Sequence, residues 1–128
     1  MDDKNRRETG MKMRRAVLGA AHVDRAQGKL SDFNGDFQDF ITRYAWGEIW
    51  SRPGLERHTR SLLTLTLMIA LGREDEFKLH IGAAFNNGVT RDEIKELILH
   101  AAIYAGVPAA NSAMHWAEDA FAAIDARG

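Results

Sequence analysis

The chain has 128 residues, 45% of them hydrophobic, and a formal net charge of −1. That is enough for one compact domain with a core. It is too apolar for a disordered chain and lacks the basic excess of a nucleic-acid or membrane-surface binder. The absence of cysteine removes disulfides, thiolate metal sites, Cys-x-x-Cys redox chemistry and a cysteine nucleophile.

The pattern predicts one all-α domain over 1–128, with residues 1–8 flexible and about six helices. The polar start, Met1 to Arg7, has no apolar run behind it of the kind a signal peptide needs. The most apolar stretch, Leu62 to Leu71, is too short to span a bilayer, so a cytoplasmic protein is expected. Met13, Ala16, Val17, Ala20 and Val23 recur at three- and four-residue steps and predict a first helix from Thr9 to about Gln27, ended by Gly28. A second helix starts near Ser31 or Asn34, with Phe33, Phe37, Phe40, Ile41 and Tyr44 as its apolar face. Pro53 suits the first turn of a third helix, with Ser51 as its cap, running to about Leu71. Leucines and other apolar residues cover most of that helix, and the surplus predicts subunit contacts. A fourth helix, Glu74 to Asn86, stops at Asn86-Asn87-Gly88. Thr90 and Glu93 form a capping box for a fifth helix reaching Tyr104. Pro108 opens a sixth, ending near Asp125.

The least ordinary stretch is Trp46 to Arg60: Trp-Gly-Glu-Ile-Trp-Ser-Arg-Pro-Gly-Leu-Glu-Arg-His-Thr-Arg. Packing alone does not call for two indoles, an acid, Gly47 and Gly54 as turn residues, and then Arg57, His58 and Arg60. It reads as a site-forming connection between two helices. Arginine is the natural bidentate clamp for a carboxylate, although Arg57 and Arg60 serve equally as surface charge paired with Glu56 or Glu48. Glu48 between Trp46 and Trp50 is either a desolvated acid–base group or the salt-bridge partner of Arg52 or Arg57. The tryptophans are either core anchors or substrate walls. His80 is the best single candidate: Glu76 lies one turn before it, and small residues follow at Ala84 and Gly88. That arrangement suits a proton donor, or else an ordinary surface pair. Glu74, Asp75 and Glu76 with His80 lack the second histidine or converging carboxylates of a metal site, so a solvated face is expected there and no metal. His115 and Trp116 sit late in the chain, where His115 either faces a pocket or serves as a cap; His22 reads as surface.

At these residues the chain resembles the 4-carboxymuconolactone decarboxylases, cofactor-independent enzymes of the protocatechuate branch of the β-ketoadipate pathway. The resemblance rests on Tyr44-Ala-Trp-Gly-Glu-Ile-Trp-Ser-Arg-Pro-Gly-Leu55, Arg57-His-Thr-Arg-Ser-Leu-Leu-Thr-Leu65, Glu74-Asp-Glu-Phe-Lys-Leu-His80, Asn87-Gly-Val-Thr-Arg-Asp-Glu-Ile94 and Leu99-His-Ala-Ala-Ile-Tyr-Ala-Gly-Val-Pro-Ala-Ala-Asn111. It spans about residues 10–125. It implies an AhpD-like all-helical fold assembled as a trimer or hexamer. Peroxidase relatives on that fold carry Cys-x-x-Cys followed by His. Here Arg73 and Glu76 occupy the thiol positions and only the histidine, His80, is kept, so redox chemistry is not inherited.

What the resemblance implies chemically follows from the substrate, an unsaturated lactone dicarboxylate. As CO₂ leaves, its electron pair flows through the C=C into the lactone carbonyl, so neither metal nor organic cofactor is required. The protein must bind two carboxylates, stabilise a dienolate oxygen and protonate a carbon. Arg57 and Arg60 suit the first task. His80 suits the proton or the dienolate, with His58 its competitor. Glu48 and Glu76 are candidates to orient or relay, Trp46, Trp50 and Trp116 to wall the pocket, and His115 to contact substrate. Other readings are a relative acting on another lactone or keto acid, and a non-catalytic binding scaffold.

Overall fold

The computed structural model describes residues 2–128, and among them every regular element is helical. The backbone groups into two units, Met1–Glu56 and Arg57–Gly128. No helix of the described residues is long and apolar enough to cross a membrane.

The first unit holds α1 (Asp3–Leu18), α2 (Ala20–Gln27), α3 (Gly35–Ile41) and a π-helix (Thr42–Trp50) continuous with α3. The first helix begins at Asp3 rather than Thr9, because the Asp2 carboxylate accepts the Asn5 N–H at 2.8 Å and caps it. It is also not continuous to Gln27. Gly19 takes a φ of 93° and splits it, a conformation open to glycine and costly for other residues. The second helix starts within a residue of Asn34, as expected. Its predicted apolar face is not buried: Phe33, Phe37 and Phe40 are largely exposed.

The π-helix packs on α1 backbone to backbone. A Cβ on Gly47 would collide with the Arg6 carbonyl oxygen, and one on Gly10 with that of Thr42. Gly47, read from sequence as a turn residue, is thus a helical contact residue. Among the described residues of this unit, only Val17, Val23 and Trp46 are buried apolar side chains. Around them runs a web of surface ion pairs: Arg7 and Arg43 to Asp39, Arg6 and Arg43 to Asp3, and Arg6 to Glu48.

The second unit holds α4 (Arg57–Leu71), α5 (Glu74–Asn86), α6 (Arg91–Tyr104) and α7 (Val107–Ala126). The third helix begins at Arg57, not at Pro53. Pro53-Gly54 makes a turn instead, since Gly after Pro favours a turn over the helical first turn. Ser51 does not cap it either: its hydroxyl donates to the Trp46 carbonyl at 2.7 Å and closes the π-helix. The expected bounds of α5 and α6 hold. Gly88 takes a φ of 84° after α5, and both arms of the Thr90–Glu93 capping box form.

The core of this unit joins Leu65 and Ile69 of α4, Phe77 and Ile81 of α5, Ile94 and Ile98 of α6, and Ala110, Ala113, Ala117 and Ala120 of α7. The alanines recur at helical steps and let α7 approach closely. Each fully buried Leu, Ile or Phe contributes about 1.5–3 kcal/mol, against roughly 0–1 kcal/mol for an exposed ion pair. The second unit is therefore held by its core, whereas the first has little apolar burial and relies on close backbone contact.

Candidate active site

In the first unit Trp46 and Trp50, four residues apart, bring their rings to 5.2 Å at 30°. Trp46 is buried and Trp50 half-buried. Both lie within the π-helix, so the connection between helices is only 51–56. Glu48 pairs with Arg6 at 3.2 Å. A carboxylate held by a guanidinium is a positioned anion.

In the second unit the start of α4 and the end of α5 meet through Asn87. Its amide oxygen accepts from Arg57 Nε at 2.8 Å, and its Nδ2 donates to Ser61 Oγ at 2.9 Å. Ser61 is wholly buried. Leaving its hydroxyl without this bond would cost about 1–3 kcal/mol. The amide is thus fixed at both ends, and it fixes Arg57. Next to Arg57, His58 Nε2 lies 2.8 Å from Glu93 Oε2. The other oxygen of Glu93 accepts the Thr90 N–H at 2.9 Å. One carboxylate therefore caps α6 and orients an imidazole on α4. The His58 hydrogen bond, and then the Thr90 backbone bond, hold Glu93 below the usual carboxylate range.

His80 is half-buried on α5 beside the buried Ala83 and Ala84. Residues 76, 80, 83–84 and 87 recur at helical steps, so His80 shares its face of α5 with Asn87. Glu76 stands one turn before it but bonds Arg73 at 2.7 Å. That bond, then the Glu76 backbone N–H at the helix start, hold the Glu76 carboxyl down, with a smaller contribution from His80. Arg60 is half-buried, one turn from Arg57, and its carbonyl accepts from Thr64 Oγ1 at 2.9 Å. His115 is exposed on α7. The ring of Trp116 packs against the core Phe77 at 5.8 Å, tilted by 57°. His22 is half-buried rather than surface, and burial, then the charges of Arg14, Arg25 and Lys29, push its pKa down.

Among the described residues no three His, Asp or Glu side chains form a metal-holding group. Sequence reasoning missed Ser61 as a partner, read Asn87 only as a helix stop, and read Glu93 only as a cap. The available signal was spacing: Ser61 lies four residues after Arg57, and Asn87 seven after His80.

Residues 35–119 match the model of the carboxymuconolactone decarboxylase family. The chain belongs to the carboxymuconolactone decarboxylase family. It is 60% identical over 121 residues to a 4-carboxymuconolactone decarboxylase of Acinetobacter baylyi, covering 94% of this chain and 90% of that one. It is 46% identical over 115 residues to a nitrosuccinic acid decarboxylase of Metarhizium robertsii, covering 88% and 80%. A 48-residue match to a 4-carboxymuconolactone decarboxylase of Pseudomonas putida is 62% identical and spans 38% of this chain and all of that sequence. The family match begins at Gly35, so α1 and α2 lie outside it, while the Trp46–Trp50 pair and the whole Arg57–Asn87–His80 face lie inside.

Proposed function

We propose that this protein decarboxylates 4-carboxymuconolactone to 3-oxoadipate enol-lactone and CO₂, without metal or organic cofactor. The observation that carries the reading is the 60% identity, across nearly the whole chain, to a relative of that name. The chemistry of the second unit supports it. Two substrate carboxylates call for fixed cations, and Asn87 holds Arg57 at the start of α4, with Arg60 one turn on.

The bond to the departing carboxylate breaks, and its electrons pass through the C=C to the lactone oxygen. The dienolate then takes one proton on the carbon next to the carbonyl. We assign that proton to His80, with His58, oriented by Glu93, as the alternative donor. His80 shares its face of α5 with the Asn87 that holds Arg57. Glu76, bonded to Arg73, contributes field rather than a relay. Glu48 is held by Arg6, and Trp46, Trp50 and His115 are left without a chemical role.

A second reading has its own observation. The relative at 46% identity is named for nitrosuccinic acid, also a dicarboxylate, whose nitro group accepts the electron pair in place of the lactone carbonyl. The experiment is an ultraviolet assay with chelator present, using 4-carboxymuconolactone generated in situ and nitrosuccinate in parallel. Turnover of the lactone alone supports the first reading and turnover of nitrosuccinate alone the second. Binding of either without CO₂ release makes the protein a scaffold.

We further propose a homo-oligomer, trimeric or hexameric, working in the cytoplasm. Leu63, Leu67 and Leu71 form an exposed stripe along α4, and Phe33, Phe37 and Phe40 a second apolar surface, more than a monomer usually leaves in water. Light scattering after gel filtration tests it, and a monomer at micromolar concentration would refute it.

A further inference from the structure

In the ion-pair web of the first unit, Arg6, Arg7 and Arg43 share the carboxylates of Asp3, Asp39 and Glu48, and Arg15 pairs with Asp24. Arg14 makes no ion pair among the described residues, yet it is only 5% exposed. Its two hydrogen bonds go to neutral oxygens, Thr42 Oγ1 at 3.4 Å and Gln38 Oε1 at 3.2 Å. Its Nε is buried and bonded to nothing.

A buried unpaired charge costs several kcal/mol. Most groups escape by neutralising. Arginine does not: burial lowers the Arg14 pKa, but from a value so high that the group stays charged. The guanidinium lines a cleft of about 150 Å³ with Met11, Gln27, Leu30 and Gln38. A cavity of about that volume holds a molecule the size of benzene. Asp39 and Arg7 also line it, but Asp39 is bound to both Arg7 and Arg43 and offers Arg14 no bond.

We propose that this cleft is a binding site for a small free carboxylate, seated on Arg14 with Gln27 and Gln38 beside it. A planar carboxylate at the cleft face of the guanidinium supplies the opposite charge that Arg14 lacks and offsets the cost of its burial. The apolar flank of Met11 and Leu30 accommodates a short carbon chain. The site is independent of the decarboxylase reading, which places its chemistry on α4, α5 and α6.

The test is equilibrium binding of acetate and of succinate to the full chain, by thermal shift and by NMR, against sodium chloride at matched ionic strength. His22, whose pKa Arg14 helps to lower, serves as a local reporter through its ring protons. Two variants are compared: Arg14→Met, which keeps the volume without the charge, and Leu30→Trp, which fills the cleft and keeps Arg14. Carboxylate is expected to raise Tm and move the His22 resonances, and both variants to bind it at least about tenfold more weakly, the loss of one charge-assisted pair. Should Arg14→Met fail to fold, Leu30→Trp decides alone. A response no larger than chloride's, or one kept in Leu30→Trp, overturns the proposal. So does a loss of self-association in Arg14→Met with no carboxylate response in the wild type, which would assign the anion to a second copy.

Discussion

Replacing Gly10 or Gly47 with alanine tests how the first unit is held together. On Gly47 the new Cβ would meet the Arg6 carbonyl oxygen and stand 3.0 Å from its carbon; on Gly10 it would meet the Thr42 oxygen and stand 2.9 Å from the Gly47 nitrogen. These obstacles are backbone and do not rotate aside. A comfortable C···O contact needs about 3.3 Å, so α1 and the π-helix must separate by roughly 1 Å. Such overpacking costs about 1–3 kcal/mol, occasionally more. Alanine's better helix propensity returns up to about 1 kcal/mol. A net loss of about 2 kcal/mol is expected, or a fall in Tm of roughly 8 °C. Gly82→Ala is the control: it lies inside α5 with nothing within 4 Å of its Cβ, so it should gain up to about 1 kcal/mol. Guanidinium unfolding followed by circular dichroism reads both signs. Gly10→Ala and Gly47→Ala as stable as wild type would refute the backbone contact and with it this account of the unit.

His80→Ala should lower kcat by about 10²-fold or more, the ordinary worth of a general acid, with little change in KM. Arg60→Ala should chiefly raise KM; a His80→Ala enzyme near wild-type kcat moves the proton to His58. Thr90→Ala removes one arm of the capping box and should cost about 1 kcal/mol in denaturant titration with kcat unchanged. Asn87→Leu should cost about 1–3 kcal/mol by stripping buried Ser61 of its bond, and should raise KM through Arg57. The Arg7 hydrogen bond, with Arg43 assisting, holds Asp39 down at about 2. A depressed carboxyl stabilises the fold above its unfolded pKa and loses that contribution as pH falls through the folded one. Wild-type Tm should therefore fall between about pH 4 and pH 2, and less steeply in Asp39→Asn. His22 acts at higher pH. Its folded pKa is lowered, so the unfolded chain takes up the proton first and stability declines as pH drops below about 6.5; a His22→Gln variant should lose that slope.

The second unit was legible because its signals are local and agree. Thr90 with Glu93, Gly88 after two asparagines and the Leu65–Ile69 spacing each have one reading, and the helices start and stop where these residues say. The first unit was less legible because its determinants are not local. Gly10 and Gly47 matter through contacts with residues far along the chain, Thr42 and Arg6, and in sequence they look like a weak helix residue and a turn. Pro53 carried two signals, helix start and Pro-Gly turn, and the turn prevailed. Of the candidate site, the residue types were readable but not their pairing: Glu48 with Arg6, Glu76 with Arg73 and His58 with Glu93 are choices among several reachable partners. Asn87 and Ser61 escaped notice because an amide and a hydroxyl acquire importance only when two helices bring them together.

The π-helix bears on how the segment tolerates changes of length. Gly10 faces Thr42 and Gly47 together, and the Ser51 hydroxyl returns to the Trp46 carbonyl; both spacings are five residues, the repeat of a π-helix and not of an α-helix. Deleting one residue between 42 and 47 would favour the tighter α winding, in which four residues turn about as far as five do in the wider one, so side chains beyond the deletion keep roughly their direction. The segment therefore holds one residue in reserve: a single deletion can be taken up by rewinding, at the cost of the five-residue spacing that sets Thr42 and Gly47 together against Gly10.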